Sequence, residues 1–372
     1  MRRRDALCSG LALFGGLGGA SLSGCLDALG SQSAWRDLVV DRPEEIYVPS
    51  KTDGMTVWAG TESDEYALAL SATRPHRFWT VTGRETNQIA MRDAHSVHLM
   101  VSLWDPDSKR WLPAEVRLSI ERDGERVIDR TLWPMCSQRM GVHYGDNIAL
   151  PEPGRYDATV RVIPQGIEYR GGFAGGFEPA AFDLAFAYDP EEIETLDLTI
   201  LEDDRRGRPG AVEPMAHDHR GHDHRDDEDG DGGDDQTDHG GHDHPPVSTV
   251  PPPDAFPRVL GDRIVGDYRT IVALAGDGGR YLLVSPRTRY NGFPLPSCSV
   301  STAVERDDGR SERIALAAAT HPTFGHHYGA SVDTPSGAEL TIEVESPPQF
   351  ARHEGYETAF FDLPSFSLRV PR

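Results

Sequence analysis

The chain is 372 residues long, with 37 basic against 60 acidic residues and a net charge of −23. At about 100–200 residues per domain, that length predicts two domains plus extra segments. The acidic balance disfavours nucleic acid and anionic membrane surfaces as partners, because both bind through positive charge.

Lysine occurs only at Lys51 and Lys109, so nearly all the positive charge is arginine. An acid-rich, lysine-poor chain is similar in composition to the proteins of halophilic archaea and other extreme halophiles. Their surface carboxylates are screened at high salt and repel one another at low salt.

Arg2-Arg3-Arg4 precedes an uncharged stretch from Ala6 to Gly24 that ends Leu22-Ser23-Gly24-Cys25. This reads as a signal peptide over 1–24 with a twin-arginine flavour. The ending resembles a lipobox, in which the cysteine is acylated and becomes the mature N-terminus. A transmembrane anchor is the alternative, and its length would just suffice, but the glycines and the lipobox favour cleavage. The expectation is an exported protein anchored outside the cell membrane as a lipoprotein at Cys25, with 25–45 as tether. After cleavage only Cys136 and Cys298 remain as thiols. Outside the cytoplasm they could pair, but sequence does not place them within bridging range, and buried free thiols are the plainer reading.

From about Glu45 the pattern is that of β-strands. Val97, Leu99, Val101 and Leu103 alternate with His98, Met100, Ser102 and Trp104. One face is therefore apolar and the other carries potential ligands. Similar alternation recurs over Val116–Ile120, Tyr156–Val162, Phe182–Tyr188 and Leu196–Ile200. Turn signals at Asp123-Gly124, Pro153-Gly154 and Gly171-Gly172 separate these runs. Short alternating strands without a convincing amphipathic helix predict an all-β antiparallel sandwich over 46–201.

Composition shifts abruptly over 202–255. His217, His219, His222, His224, His239, His242 and His244 stand among aspartates and glycines, and a proline run follows. With almost nothing apolar to bury, this linker is expected to be disordered. It reads either as a solvated acidic spacer or as a loose multi-site binder of zinc, nickel or copper. Residues 256–372 then repeat the later part of the first sandwich. Arg155–Val162 corresponds to Glu339–Glu345, Phe182-Asp183-Leu184 to Phe361-Asp362-Leu363, and His143-Tyr144-Gly145 to His327-Tyr328-Gly329. The chain reads as two β-sandwich domains derived from one by duplication.

In an extended strand His98 and Met100 project from one face, about 7 Å apart. Met135, in Trp133-Pro134-Met135, and His143 could converge on that face. Two imidazoles with two thioethers suit copper in either oxidation state better than magnesium or calcium. Read singly, a methionine near a strand is usually core filler, and a lone histidine is usually hydrogen-bonded or exposed. His95 and His76 are further candidates, with packing or a hydrogen bond the better reading for His76. The chain has no His-Glu-x-x-His, Gly-x-Ser-x-Gly, phosphate loop or dinucleotide fingerprint, so no enzyme is expected.

The run from His98 through Pro113, Pro134-Met135, His143-Tyr144-Gly145-Asp146-Asn147 and Gly154-Arg155-Tyr156 to Pro164 resembles the periplasmic ferrous-iron transport accessory family. The resemblance covers about 100 residues of the first domain. It implies a copper-binding, immunoglobulin-like lipoprotein that is dimeric and serves a membrane iron permease. By position it makes Met135, His143 and His98 metal ligands, with Met100 replacing the glutamate of a His-x-Glu pair. A carboxylate exchanged for a thioether shifts preference toward Cu(I). A further family histidine, from an Arg-His pair, is absent from the first domain, which reads Arg170-Gly171. The second domain has Arg352-His353, so His321, His327 and His353 form a possible degenerate site there; a purely structural second domain is the equal alternative.

The resulting expectation is a membrane-tethered protein of an iron-uptake system, binding copper or iron at His98, Met100, Met135 and His143, with zinc possible at the linker. The alternatives are a cell-surface interaction module with a vestigial site, or a copper or zinc buffer acting through the linker. The family's homodimer could be replaced here by pairing of the two domains within one chain.

Overall fold

The computed structural model describes residues 42–215, 245–246, 248 and 251–371. The expected signal segment, Cys25 and the linker histidines from His217 to His244 lie outside these residues. All described residues belong to one compact unit, Val40–Arg372. The first half contains β1 (Lys51–Asp53), β2 (Thr56–Glu62), β3 (Ala67–Thr73), β4 (Phe78–Thr82), β5 (Glu85–Ile89), β6 (Val97–Trp104) and β7 (Ala114–Arg122). It continues with β8 (Glu125–Thr131), β9 (Trp133–Ser137), β10 (Gly141–Ile148), β11 (Gly154–Pro164), β12 (Glu168–Tyr169), β13 (Ala180–Tyr188), a six-residue helix α1 (Pro190–Thr195) and β14 (Leu198–Ile200). The second half contains β15 (Val259–Val265), β16 (Tyr268–Ala275), β17 (Tyr281–Thr288), β18 (Ser299–Glu305), β19 (Ser311–Thr320), β20 (His327–Ser331), β21 (Glu339–Ser346), β22 (Ala351–Arg352) and β23 (Phe366–Arg369).

The fold is all-β, as the alternation predicts. One sheet of the first half runs β13-β11-β7-β8, with Val116, Leu118 and Ile120 of β7 and Tyr156, Ala158, Val160 and Val162 of β11 turned inward. The facing sheet runs β2-β3-β6-β10-β9-β22-β4-β5. The second half repeats the plan with β15-β16-β17-β20-β19 and β18-β21-β23. There one long strand, β19, serves both sheets: Ser311–Leu316 pairs with β18 and Ala317–Ala319 with β20. Each aliphatic side chain fully buried between such sheets contributes about 1.5–3 kcal/mol, and one apolar core runs continuously through both halves. The repeated His-Tyr-Gly motif does the same packing work twice. Tyr144 Oη donates to Leu112 O at 2.9 Å and accepts Ala114 N–H at 2.8 Å; Tyr328 Oη donates to Leu295 O at 3.1 Å and accepts Cys298 N–H at 2.8 Å.

The halves also exchange strands. β12 of the first half lies parallel to β19, pairing Glu168 with Ala319 and Tyr169 with Thr320. β22 of the second half lies parallel to β9, pairing Ala351 with Met135 and Arg352 with Cys136, and antiparallel to β4 through Arg352 and Trp79. Arg352 fastens this insertion. Its guanidinium is fully buried, donates to the carbonyls of Ala359 and Pro348, and sits 4.4 Å from the Phe361 ring. Those carbonyls and ring faces offset the cost of burying a cation.

Both Cys136 and Cys298 are free thiols. Burial raises both, Cys298 to about 12, so neither is a thiolate at neutral pH. Among the described residues no helix is long and apolar enough to cross a membrane.

Candidate metal centre

The centre is assembled from four strands and the loop before β4. His98 is the second residue of β6, opposite Asn147 of β10 and Thr73 of β3. Met135 of β9 and His143 of β10 face each other directly. Because β22 pairs in parallel with β9, the next residue, His353, is delivered to the same place, and its N–H bonds Cys136 O at 3.2 Å. His76 precedes β4. Ring centroids lie 4.1 Å apart for His76 and His98, 5.4 Å for His98 and His353, and 5.1 Å for His143 and His353. Donor atoms of His76, His98 and His353 fall within 4.8 Å of one another.

Glycine at position 145 keeps the space between the donors open. A Cβ built there would stand 2.9 Å from Met135 Sδ, 3.0 Å from His98 Nε2 and 3.0 Å from Leu99 O. A thioether and an imidazole nitrogen thus converge on one point. Phe78 and Ala351 pack with Met135 into a small apolar cluster, which walls the sulfur side. His98, Met135 and His143 have no exposed surface, whereas His76 and His353 are partly buried.

Hydrogen bonds decide which nitrogens are free. Asn147 is keyed onto the His76 backbone, its Nδ2 donating to His76 O at 2.8 Å and its Oδ1 accepting His76 N–H at 3.4 Å. Its Oδ1 therefore also accepts from His98 Nδ1, 3.0 Å away. Gly141, at φ 72°, turns its carbonyl back so that His143 Nδ1 donates to it at 3.0 Å. That positive φ is why a glycine stands there. With Nδ1 protonated, Nε2 of each neutral ring carries a bare lone pair. Nε2 of His98, of His143 and of His353 are all buried without a hydrogen-bond partner. Native proteins rarely leave such atoms unpaired, and imidazole nitrogens with a thioether are donors of the kind a copper ion takes. Burial holds these rings neutral. It pushes His143 down to about 4 and His98 and His353 well below the ordinary imidazole value, with neighbouring histidines adding to the latter two. Ligation at neutral pH then requires no proton release from these rings.

Of the residues predicted from sequence, the structure brings His98, Met135 and His143 together. Met100 is buried on the same face as His98, opposite Gly145 of β10 and Ser71 of β3. The proposed trio of His321, His327 and His353 does not assemble, because β22 carries His353 into the first half's cluster. The sequence signal is the complementary pair Arg170-Gly171 and Arg352-His353, which becomes legible only when the two halves are taken together. His76 hydrogen-bonds rather than standing free: its Nδ1 is 3.0 Å from Arg74 O and its Nε2 is 2.9 Å from His353 Nδ1.

The equivalent place in the second half is filled. Tyr281 occupies the position of His98, Leu283 that of Met100 and Ala319 that of Met135, since Leu283 faces Gly329 and Ala319 faces His327. His327 Nδ1 donates to Gly325 O at 2.9 Å, as in the first half. Its Nε2 is satisfied, however, by Tyr281 Oη at 3.2 Å, and that hydroxyl takes the space beside Gly329. Arg170 lies 3.6 Å over the Tyr281 ring, and His321 fills the volume beside Gly171. A cation, a phenol and no thioether disfavour a metal ion here.

A domain family of unknown function, DUF7350, matches residues 257–369. No curated protein matches the chain. Similar solved structures include FetP of uropathogenic Escherichia coli strain F11, at 19% identity over 37% of this chain and 95% of that one, with a TM-score of 0.28. The copper-reconstituted P19 protein of Campylobacter jejuni is 17% identical over 37% of this chain and 96% of its own, with a TM-score of 0.27. A copper-bound single-residue variant of that P19 reaches 19% identity over 37% of this chain and 97% of its own, with a TM-score of 0.29.

Proposed function

We propose that the chain is an extracytoplasmic, membrane-tethered metal-binding lipoprotein of an iron-uptake system. It holds copper, or ferrous iron, through Met135 Sδ and the Nε2 atoms of His98, His143 and His353, with the Met100 thioether on the same face. The observation that carries this reading is a set of three buried, unpartnered imidazole nitrogens in one histidine cluster, with His98 Nε2 and Met135 Sδ meeting at the cradle of Gly145. Their rings are already neutral and in the tautomer a metal needs. Imidazole and thioether together suit Cu(I) and Cu(II); a bound copper ion would supply a one-electron redox couple beside whatever ferrous or ferric species the permease handles. The chain's residues supply a dry pocket and fixed donor directions, and His353 makes the second half a ligand donor. The tether at Cys25 and the permease partner come from the lipobox and from the family resemblance.

The test is titration of Cu(I), Cu(II), Fe(II) and Zn(II) into the full chain and its Met135→Ala, His143→Ala and His353→Ala variants, against a competing chelator so that only the tightest site fills. Each substitution should weaken the first copper equivalent. Unchanged affinity in all three variants would refute the site.

A further inference from the structure

We propose that His76 is a positioning residue which holds His353 in its ligating tautomer, and that it is not itself a ligand. The inference rests on the metal-centre reading and adds a part to it. His76 Nδ1 lies 3.0 Å from Arg74 O, and a carbonyl can only accept, so the proton of neutral His76 is on Nδ1. Its Nε2 is then a bare acceptor, and the group 2.9 Å away, His353 Nδ1, must be the donor. That leaves His353 Nε2 bare, and it is this atom that is buried without a partner; His76 Nε2 is not among the unpaired nitrogens.

Proximity alone would make His76, His98 and His353 a three-histidine site. Ligation by His76 Nε2 would break its bond to His353 and leave His353 Nδ1 without an acceptor. The hydrogen-bond chain favours the other assignment: His353 donates to His76, and His76 donates to the Arg74 carbonyl. An acceptor on the far nitrogen of a ligating imidazole fixes its ring and raises its basicity, and loss of such an acceptor typically weakens metal binding by about 10–100-fold. His76 is itself held by Asn147, whose amide grips both its N–H and its carbonyl. The same amide fixes His98, so a single side chain sets two of the three nitrogen donors.

The test uses the full chain and its His76→Gln and His76→Leu variants. In metal-free protein, 15N spectra of the histidine rings should show His353 protonated on Nδ1, the minor form of a free imidazole. His76→Gln, whose side-chain oxygen can still accept, should keep that tautomer. His76→Leu should return His353 to the Nε2–H form while melting cooperatively. With one equivalent of Cu(II), the native chain and both variants should show the same number of nitrogen ligands by electron paramagnetic resonance. Copper affinity should fall about 10–100-fold in His76→Leu and stay near native in His76→Gln. Loss of one nitrogen ligand in His76→Gln, or an Nε2–H His353 in the native apo-protein, would overturn the proposal. Failure of the native chain to bind copper, with the tautomers as stated, would instead sink the metal reading.

Discussion

Gly145→Ala tests the cradle with one methyl group. The new Cβ would lie 2.9 Å from Met135 Sδ, 3.0 Å from His98 Nε2 and 3.0 Å from the Leu99 carbonyl, where carbon contacts normally begin near 3.5 Å. The sulfur ends a flexible side chain and can swing aside. The Leu99 carbonyl belongs to the paired strand β6, and the His98 ring is held by Asn147. Relief therefore comes mainly from displacing Met135, and overpacking of this kind costs about 1–3 kcal/mol. We expect the low end, near 1 kcal/mol, since one of the three contacts yields easily.

The effect on metal binding should be larger, because the methyl group separates the two donors that meet there. Copper at about 100 times its Kd would stabilise the native chain by about 2.7 kcal/mol. Thermal melts without copper and with free copper buffered at about 100 times the native Kd read both quantities. The native chain should gain several degrees on loading; Gly145→Ala should start slightly lower and gain almost nothing. Gly60→Ala, whose nearest neighbour would be the Leu68 carbonyl at 3.4 Å, is the control for alanine in a strand of the same sheet. A Gly145→Ala chain with native copper stabilisation would refute the cradle.

In the second half, burial lowers His326 to about 3 and His327 to about 4. The folded state keeps both neutral while the unfolded chain takes up protons near pH 6.5, so stability is complete above that value and is lost as pH falls toward 4. The loss is on the order of 3 kcal/mol per histidine at pH 4. Both His326 nitrogens are buried without a partner between Trp111 and Tyr328, so His326→Phe should move the acid-unfolding midpoint downward; an unchanged midpoint would contradict this. Tyr281→Phe removes the hydroxyl that satisfies His327 Nε2. It should cost about 1–3 kcal/mol in chemical unfolding without adding a tight copper equivalent, and a second tight equivalent would show that the hydroxyl was the only obstacle. With a net charge of −23, the melting temperature should rise as salt goes from 0.1 M to 1 M, where the screening length falls from about 10 Å to about 3 Å. A flat salt dependence would remove the charge argument.

Alternation made the sheets legible where a strand buries one face, as in β7: Val116, Leu118 and Ile120 point inward and Arg117 does not. It also placed His98 and Met100 on one face of β6 correctly. It gave no warning that this face would be buried too, since the rings packed on His98 come from His76, Phe78 and the distant His353. The two-residue strand Ala351–Arg352 carries no periodicity. Its register against Met135 and Cys136 depends on the buried Arg352 and on a fold that must already exist. His76 was opaque for a related reason: a histidine in a loop shows its role only when the other ends of its hydrogen bonds, Arg74 O and His353 Nδ1, are in place.

The exchange of β12 and β22 makes the two pockets interdependent and explains how one chain can hold an open centre and a closed one. Each pocket is completed by the two-residue strand lent by the opposite half and by a residue just beyond it: His353 directly after β22, Gly171 two positions after β12. On the first side the lent residue brings an imidazole to three donors already present. On the second it brings no side chain, so His321 moves into the gap and Arg170 covers Tyr281. The first half's histidine cluster thus depends on Arg352 and His353 of the second half. Substitutions at these two positions should therefore disturb metal binding in the first half while leaving the Tyr281–His327 contact intact.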